Sequence, residues 1–423
     1  MREISMNAAQ RPPLLPLDAA LGQLLVAVTP LTETQTVPTM QADGRVLAQD
    51  VVSGLQVPAH DNSSMDGYAV RSADVQAPGT LLQVTQRIPA GSVGTPLQPG
   101  TAARIFTGAP VPPGADAIVM QEDCSVEGVA QDQVRVQTVP PVGQWIRRAG
   151  EDVTRGTVVL ARGQRLGPAH LGLAASIGMA TLNVVRRPRV ALFSTGDELV
   201  MPGTCAPQDM PPGAIYNSNR FFLNALLRRL GADVTDLGIV PDQREATITA
   251  LREAAATHDV ILTSGGVSVG EEDHIKPAVQ ALGQLDLWQI AIKPGKPFAH
   301  GQIHRAQGQG AAHFIGLPGN PVSSFVTFVL LVRPFLLRLQ GQADVAIKTV
   351  AARADFTWAR ADKRREFLRV RRNDAGGLDL FPNQSSGVLT SAVWGDGLVD
   401  NPSGQTIAPG DTVQFVSFAE ILS

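Results

Sequence analysis

The chain has 423 residues, 44% of them hydrophobic and 17% charged, and a net charge of −3. That length exceeds what one hydrophobic core usually supports, so roughly two to four domains are expected, and the mildly acidic balance excludes a general nucleic-acid binder. Two well-separated cysteines, Cys124 and Cys205, with no CxxC spacing exclude a structural zinc site and fit a reducing compartment.

The first residues, MREISMNAAQRPPLLPL, hold no apolar run of signal-peptide length. The longest apolar stretch, near 325–339, is interrupted by Arg333 and Pro334 and reads as too short for a bilayer. The expectation is a soluble cytoplasmic protein without membrane association. Leu17, Ala20, Leu21, Leu24, Leu25 and Val28 recur at helical spacing, with Asp18 near the start and Pro30 closing the helix. Residues 46–57 read as extended. The loop HDNSSMDGYAV, residues 60–70, holds two turn dipeptides. Asp66 faces a cleft there or supplies an Asx-turn bond, and spacing alone favours the turn. From 72 to 145 short strands alternate with Gly/Pro turns, a small β domain. RIFTGAPVPPGAD and WIRRAGEDVTRG place Thr107 and Asp152 at glycine turns. A hairpin, a helix opened by Pro168 and a strand ending at Val185 complete the N-terminal half.

Strands alternate with helices from Arg189 onward: RVALFSTGDEL, a helix over 216–230, DVTDLGIV, a helix over 243–257, DVILTS, a helix from Lys276, and LDLWQIAI. This pattern predicts a parallel sheet covered on both faces, with ligands beyond the carboxyl ends of the strands. Glu198, Asp242, the stretch Ser264-Gly265-Gly266 through Ser268, Gly270 and Asp273, and Lys293 and Lys296 all fall on that rim. The paired glycines suit an anion-binding nest, or an ordinary turn before a solvated acidic helix start. Residues 297–316 read as a hairpin. Pro318-Gly319-Asn320-Pro321 then opens a helix over 321–340 whose N-terminus is a further anion site or a plain cap. Residues 345–423 read as all-β, and the basic run KRREFLRVRR (363–372) as a solvated strand face or a local anion contact. The resulting division is an N-terminal mixed α/β region (14–58 and 146–186), an inserted small β domain (59–145), an α/β domain (187–340) and a C-terminal β domain (345–423).

DNSSMDGYAVR, RIFTGAPVPPGADAIVMQE, IRRAGEDV, FSTGDEL, SGGVSVGEED, AIKPGKPFAHG and GLPGNPVSS, in this order, resemble the molybdopterin molybdenumtransferase (MoeA) family, to which the C-terminal part of gephyrin is related. The resemblance covers about two thirds of the chain. It implies a homodimer that takes adenylylated molybdopterin and molybdate, uses Mg²⁺, inserts molybdenum and releases AMP. It also implies contact with the molybdopterin-adenylylating enzyme, and with molybdoenzymes or chaperones that accept the cofactor. Carried over by motif, the catalytic positions are Asp66, Thr107, Asp152, Glu198, Asp242 and Asp273. Glu198, Asp242 and Asp273 are the metal carboxylates. Ser264, Gly265, Gly266, Ser268, Gly270, Lys293, Lys296, Pro318, Gly319 and Pro321 are substrate contacts. The family often has a lysine four residues before the KPG lysine, where this chain has Gln289. Two alternatives stand beside this reading: molybdopterin adenylylation, although that family has a GGTG-type turn where this chain has Gly265-Gly266-Val267-Ser268, and a non-catalytic gephyrin-like scaffold.

Overall fold

The computed structural model describes residues 14–422 apart from 129, 131, 267–273 and 309, and apart from the side chains of 287 and 307. Ser268, Gly270 and Asp273 therefore lie outside the described residues. The molecule is organised on a six-stranded sheet made of β1 (Arg189–Thr195), β2 (Asp233–Val240), β3 (Val260–Ser264), β4 (Gly283–Gln289), β5 (Pro297–His304) and β6 (Ala311–Leu317). β3 is buried along its whole length and β1 at all but its first residue, as strands covered on both faces require. The order is β2-β1-β3-β6-β5-β4. β1, β2, β3 and β6 are parallel to their neighbours in this set, whereas β5 runs antiparallel to both β4 and β6. The sheet is thus mixed rather than parallel throughout. The short β5–β6 connection forces an antiparallel pair, and this hairpin enters the sheet between β3 and β4.

Helices α1 (Asn219–Arg229), α2 (Arg244–Thr257), α3 (Ile275–Leu282) and α4 (Pro321–Leu339) cover the two faces. Leu223 and Leu227 of α1 join α4 in one apolar core, and Leu251, Ala254, Ile275 and Val279 of α2 and α3 form the other. α1 starts later than the sequence implies. Ile215–Tyr216 instead pairs as a short parallel strand with Leu199–Val200, holding the 201–214 loop beside the sheet. α4 runs through Arg333 and Pro334, as the expected helix over 321–340 requires. Pro334 has no N–H for the carbonyl one turn back, and the helix takes up the defect as a π-turn at Phe328–Val332. With 19 residues, α4 is long and apolar enough to cross a membrane, but 89% of it is packed inside the molecule, as a core helix.

The helix Leu17–Val26 docks Ala20 and Leu24 into the α1–α4 core. The remaining N-terminal elements form a separate core around Leu47, Leu160, Ala174 and Leu182. The inserted domain is a six-stranded sheet with apolar residues on both faces. The C-terminal domain packs its own sheet around Leu368, Val399 and Phe415. It also carries two short helices, Thr390–Trp394 and Phe418–Ile421, where the sequence suggested none.

His300 on β5 and His313 on β6 stack on one another at 5.8 Å and meet Phe335 of α4 edge-on. His300 Nε2 and His313 Nδ1 are buried without a partner among the described residues. Burial holds both imidazoles down to about 4, from 6.5. Between those values the unfolded chain binds more protons than the folded one, so stability falls as pH falls through this window and is flat above it. Chemical denaturation at pH 7.5 and pH 5 should show this loss, and His300→Leu should show a smaller one. Equal slopes in the two proteins would remove the histidines as its source.

Candidate functional site

At the carboxyl ends of β1, β2 and β3 the chain opens a cleft of about 740 Å³, lined by six segments of the α/β domain and by Gly387 of the C-terminal domain. Glu198, Asp242, Ser264, Gly265, Gly266, Pro318, Gly319 and Pro321 all line it. Eight of the expected positions therefore meet in one cavity. The turn after β3 is built by glycines for a steric reason. Gly265 and Gly266 have φ of 93° and 67°, a region that costs other residues about 1–2 kcal/mol. A Cβ on Gly265 would lie 3.0 Å from the Thr195 carbonyl oxygen, and one on Gly266 would lie 2.5 Å from Ile275 Cγ1. Gly265→Ala is expected to raise the substrate KM about tenfold, since the turn must move away from β1 by shifting the cleft floor. An unchanged KM in steady-state assays would show that the turn has slack.

The cleft floor is a hydrogen-bonded polar layer. Asn219 Nδ2, at the start of α1, donates to Ser264 Oγ and to the Gly319 carbonyl, both at 2.7 Å, which ties three cleft segments together. Ser194 Oγ and Asn217 Nδ2 line the same wall, are 1% and 2% exposed as residues, and have no partner among the described residues. Buried polar atoms normally find partners, so donors left open on a cleft wall suit a polar ligand. Glu198 folds its carboxylate back over Gly196, where a Cβ would meet Oε2 at 2.6 Å. Asp242 approaches from the loop after β2.

The two lysines behave differently. Neither Lys293 nor Lys296 lines the cleft. Lys293 sits four residues before the cleft residue Pro297, on a short strand paired with the C-terminal domain, and its Nζ donates to Glu366 Oε1 at 2.9 Å.

Asp66, Thr107 and Asp152 lie outside the cleft lining, and Asp66 and Thr107 form a bonded pair. Asp66 Oδ1 accepts from the Thr107 N–H and O–H, both at 2.8 Å, and these bonds hold its carboxyl below the usual range. Asp152 is exposed on the turn after Arg148. Asp61 ties the two loops together: it accepts from Arg148 at 2.6 Å and from the Ala149 N–H at 2.8 Å. Asn62–Ser63 pairs with Ile146–Arg147 in the same place. The N-terminal motifs thus converge at one end of the inserted domain. The basic run 363–372 divides: Arg369 is 1% exposed and donates to the Phe367 carbonyl and Ser391 Oγ, while Arg365 pairs with Asp400 at 2.6 Å.

Three family models match in succession: the MoeA N-terminal region (domain I and II) over 15–178, a probable molybdopterin binding domain over 191–338, and the MoeA C-terminal region (domain IV) over 351–418. A molybdopterin molybdenumtransferase of Haemophilus influenzae is 40% identical over 81% of this chain and 85% of its own length. The chain belongs to the MoeA family. Molybdopterin molybdenumtransferase 2 of Mycobacterium tuberculosis is 39% identical over 90% of this chain and 93% of its own. Among solved structures, the molybdopterin biosynthesis MoeA protein of Pyrococcus horikoshii is similar over 96% of this chain and 100% of its own, with a TM-score of 0.82 and 28% identity. The three matched regions follow one another along the chain, and the cleft lies in the second of them, at the switch between β1 and β3.

Sequence reasoning missed Asn217 and Asn219 as site residues of this MoeA chain, whereas Ser194, in the turn after the first strand, falls on the rim where ligands are expected. Asn217 and Asn219 read only as residues of the helix over 216–230. Only the packing of α1 against the end of β1 brings them to the cleft wall.

Proposed function

We propose that this protein inserts molybdenum from molybdate into adenylylated molybdopterin, releasing AMP, in a Mg²⁺-dependent reaction in the cytoplasm. The observation that carries this reading is the cleft itself: a glycine turn, open Ser194 and Asn217 donors and two carboxylates in one cavity. The cleft's 740 Å³ falls in the range of small-molecule sites. The N–H groups of Gly266, in the turn after β3, and of Ser323, in the first turn of α4, favour phosphate, whereas those of Gly265 and Val322 donate to the Leu317 and Ser386 carbonyls. Among the described residues no group of three or more His, Cys, Asp or Glu side chains surrounds one point. Mg²⁺ is nevertheless suited here, because it binds through one or two carboxylates and completes its shell with water and phosphate oxygens. Glu198 and Asp242 would hold it, with Asp273 as the third carboxylate by resemblance. Bound there, Mg²⁺ would polarise the phosphoanhydride and neutralise the leaving AMP. Asn219 fixes Ser264 and the Gly319 backbone, so the donors meet the substrate already oriented.

The Asp66–Thr107 group lies outside the cleft of its own chain, which supports a homodimer in which this group reaches the partner's cleft. The partners for which the reading calls are the enzyme that adenylylates molybdopterin and the molybdoenzymes or chaperones that receive the product. The test is an assay with adenylylated molybdopterin, Mg²⁺ and molybdate. AMP release together with activation of an apo-molybdoenzyme is expected. Pyrophosphate release from ATP and molybdopterin instead would sink the proposal and point to the adenylylation step.

A further inference from the structure

Besides lining the cleft with Gly387, the C-terminal domain holds a residue of the neighbouring segment through an ion pair, Glu366 with Lys293. Glu366 is 1% exposed. Its Oε2 accepts from Trp358 Nε1 at 2.7 Å and from Asn401 Nδ2 at 3.4 Å. Its Oε1 accepts from Lys293 Nζ at 2.9 Å. A carboxylate this deeply buried needs a cation as well as neutral donors. The nearby Arg364 does not serve, because it is engaged with Asp362 at 2.8 Å. Lys293 also lies 3.4 Å from Asp362, and its ammonium sits 5.8 Å from the centre of the Trp358 ring. The backbone enforces the same pairing, since Ile292–Lys293 runs parallel to Arg365–Glu366.

An ammonium has three N–H donors. Glu366 takes one and Asp362 faces a second at longer range, while the Lys293 side chain remains 40% exposed. The lysine is therefore tethered at its tip and still open to solvent. Next along the chain, Gly295 packs so tightly on α4 that a Cβ there would lie 2.4 Å from Thr327 Oγ1, and Pro297 lines the cleft.

We propose that Glu366 is a positioning residue for Lys293: it fixes the ammonium, four positions before the cleft residue Pro297, so that an oxyanion substrate meets a cation already in place. A free lysine would have to be ordered when the anion binds; this one is ordered beforehand by a neighbouring domain. The inference rests on the reading of the cleft as the substrate site with Lys293 as a contact.

Three variants test it: Glu366→Gln, Lys293→Gln and the double variant, each assayed for kcat and for the KM of molybdate. Glu366→Gln keeps an acceptor for Trp358 but turns an amide toward the ammonium. It should raise the molybdate KM about tenfold with kcat changed less than about twofold. Lys293→Gln should raise KM at least as much, and the double variant should equal Lys293→Gln alone. Glu366→Asp withdraws the charge by one methylene and should give a smaller rise of the same sign, which keeps the test open if the amide variant folds poorly. If Lys293→Gln raises KM while both Glu366 variants leave it unchanged or lower it, or if the effects multiply in the double variant, Glu366 does not act through Lys293 and the proposal falls alone. If Lys293→Gln has no effect, Lys293 is not a substrate contact and the proposal falls with that reading. A lowered melting temperature with unchanged KM marks Glu366 as structural only.

Discussion

Asp242→Ala and Glu198→Ala should each lower turnover by about a hundredfold or more, with little change in melting temperature. Both side chains stand on loops at the mouth of the cleft, and neither Glu198 nor Asp242 belongs to an apolar core. The fold does not depend on them. They are instead the two carboxylates that share the cavity with the glycine turn and the open donors. Removing a group that stabilises charge in a transition state costs about 10²- to 10³-fold in rate, and a group that holds a metal on a phosphoanhydride belongs to that class. The amide variants separate metal from geometry: Glu198→Gln and Asp242→Asn should raise the Mg²⁺ concentration needed for half-maximal rate, and excess Mg²⁺ should recover part of the activity. Turnover within about threefold of the parent for either alanine variant would remove that carboxylate from the chemistry.

The second large effect concerns subunit sharing. Asp66→Ala and Asp242→Ala should each be nearly inactive alone, yet a mixture of the two should regain activity. In a dimer whose sites combine the inserted domain of one copy with the cleft of the other, a mixed dimer has one doubly altered site and one intact site. Statistical mixing makes about half the dimers mixed, so the expected recovery is about one quarter of parent activity. The Asp66–Thr107 pair motivates the experiment, because it is preorganised by two 2.8 Å bonds and lies outside its own chain's cleft. No recovery after verified subunit exchange would mean that Asp66 serves its own chain.

The α/β core was legible because its strands are continuous buried runs, as in RVALFST and VILTS. The glycine turn and the rim carboxylates followed from strand ends and motifs. Three things were not legible, for physical reasons. The hairpin's place between β3 and β4 depends on pairing partners that periodicity does not encode. The late start of α1 follows from Ile215–Tyr216 finding a strand partner in Leu199–Val200, a tertiary contact that overrides a plausible cap. The state of Lys293 depends on Glu366, 73 positions away and in another domain, so its motif showed a cation but not what holds it.

The π-turn in α4 has a consequence for how this helix tolerates change. One extra residue in a turn rotates everything beyond it by about 100° around the helix axis. The segment Pro321–Thr327, whose first residues border the cleft, is therefore out of phase with Arg333–Leu339, which carries Phe335 against the histidine stack. Regular α-helix through 328–332 with no residue removed would swing one half relative to the other, whereas a single-residue deletion there would take out the bulge and leave both halves facing as they do. The extra residue thus acts as a phase adjuster: one continuous rod presents one side to the ligand and a different side to the core.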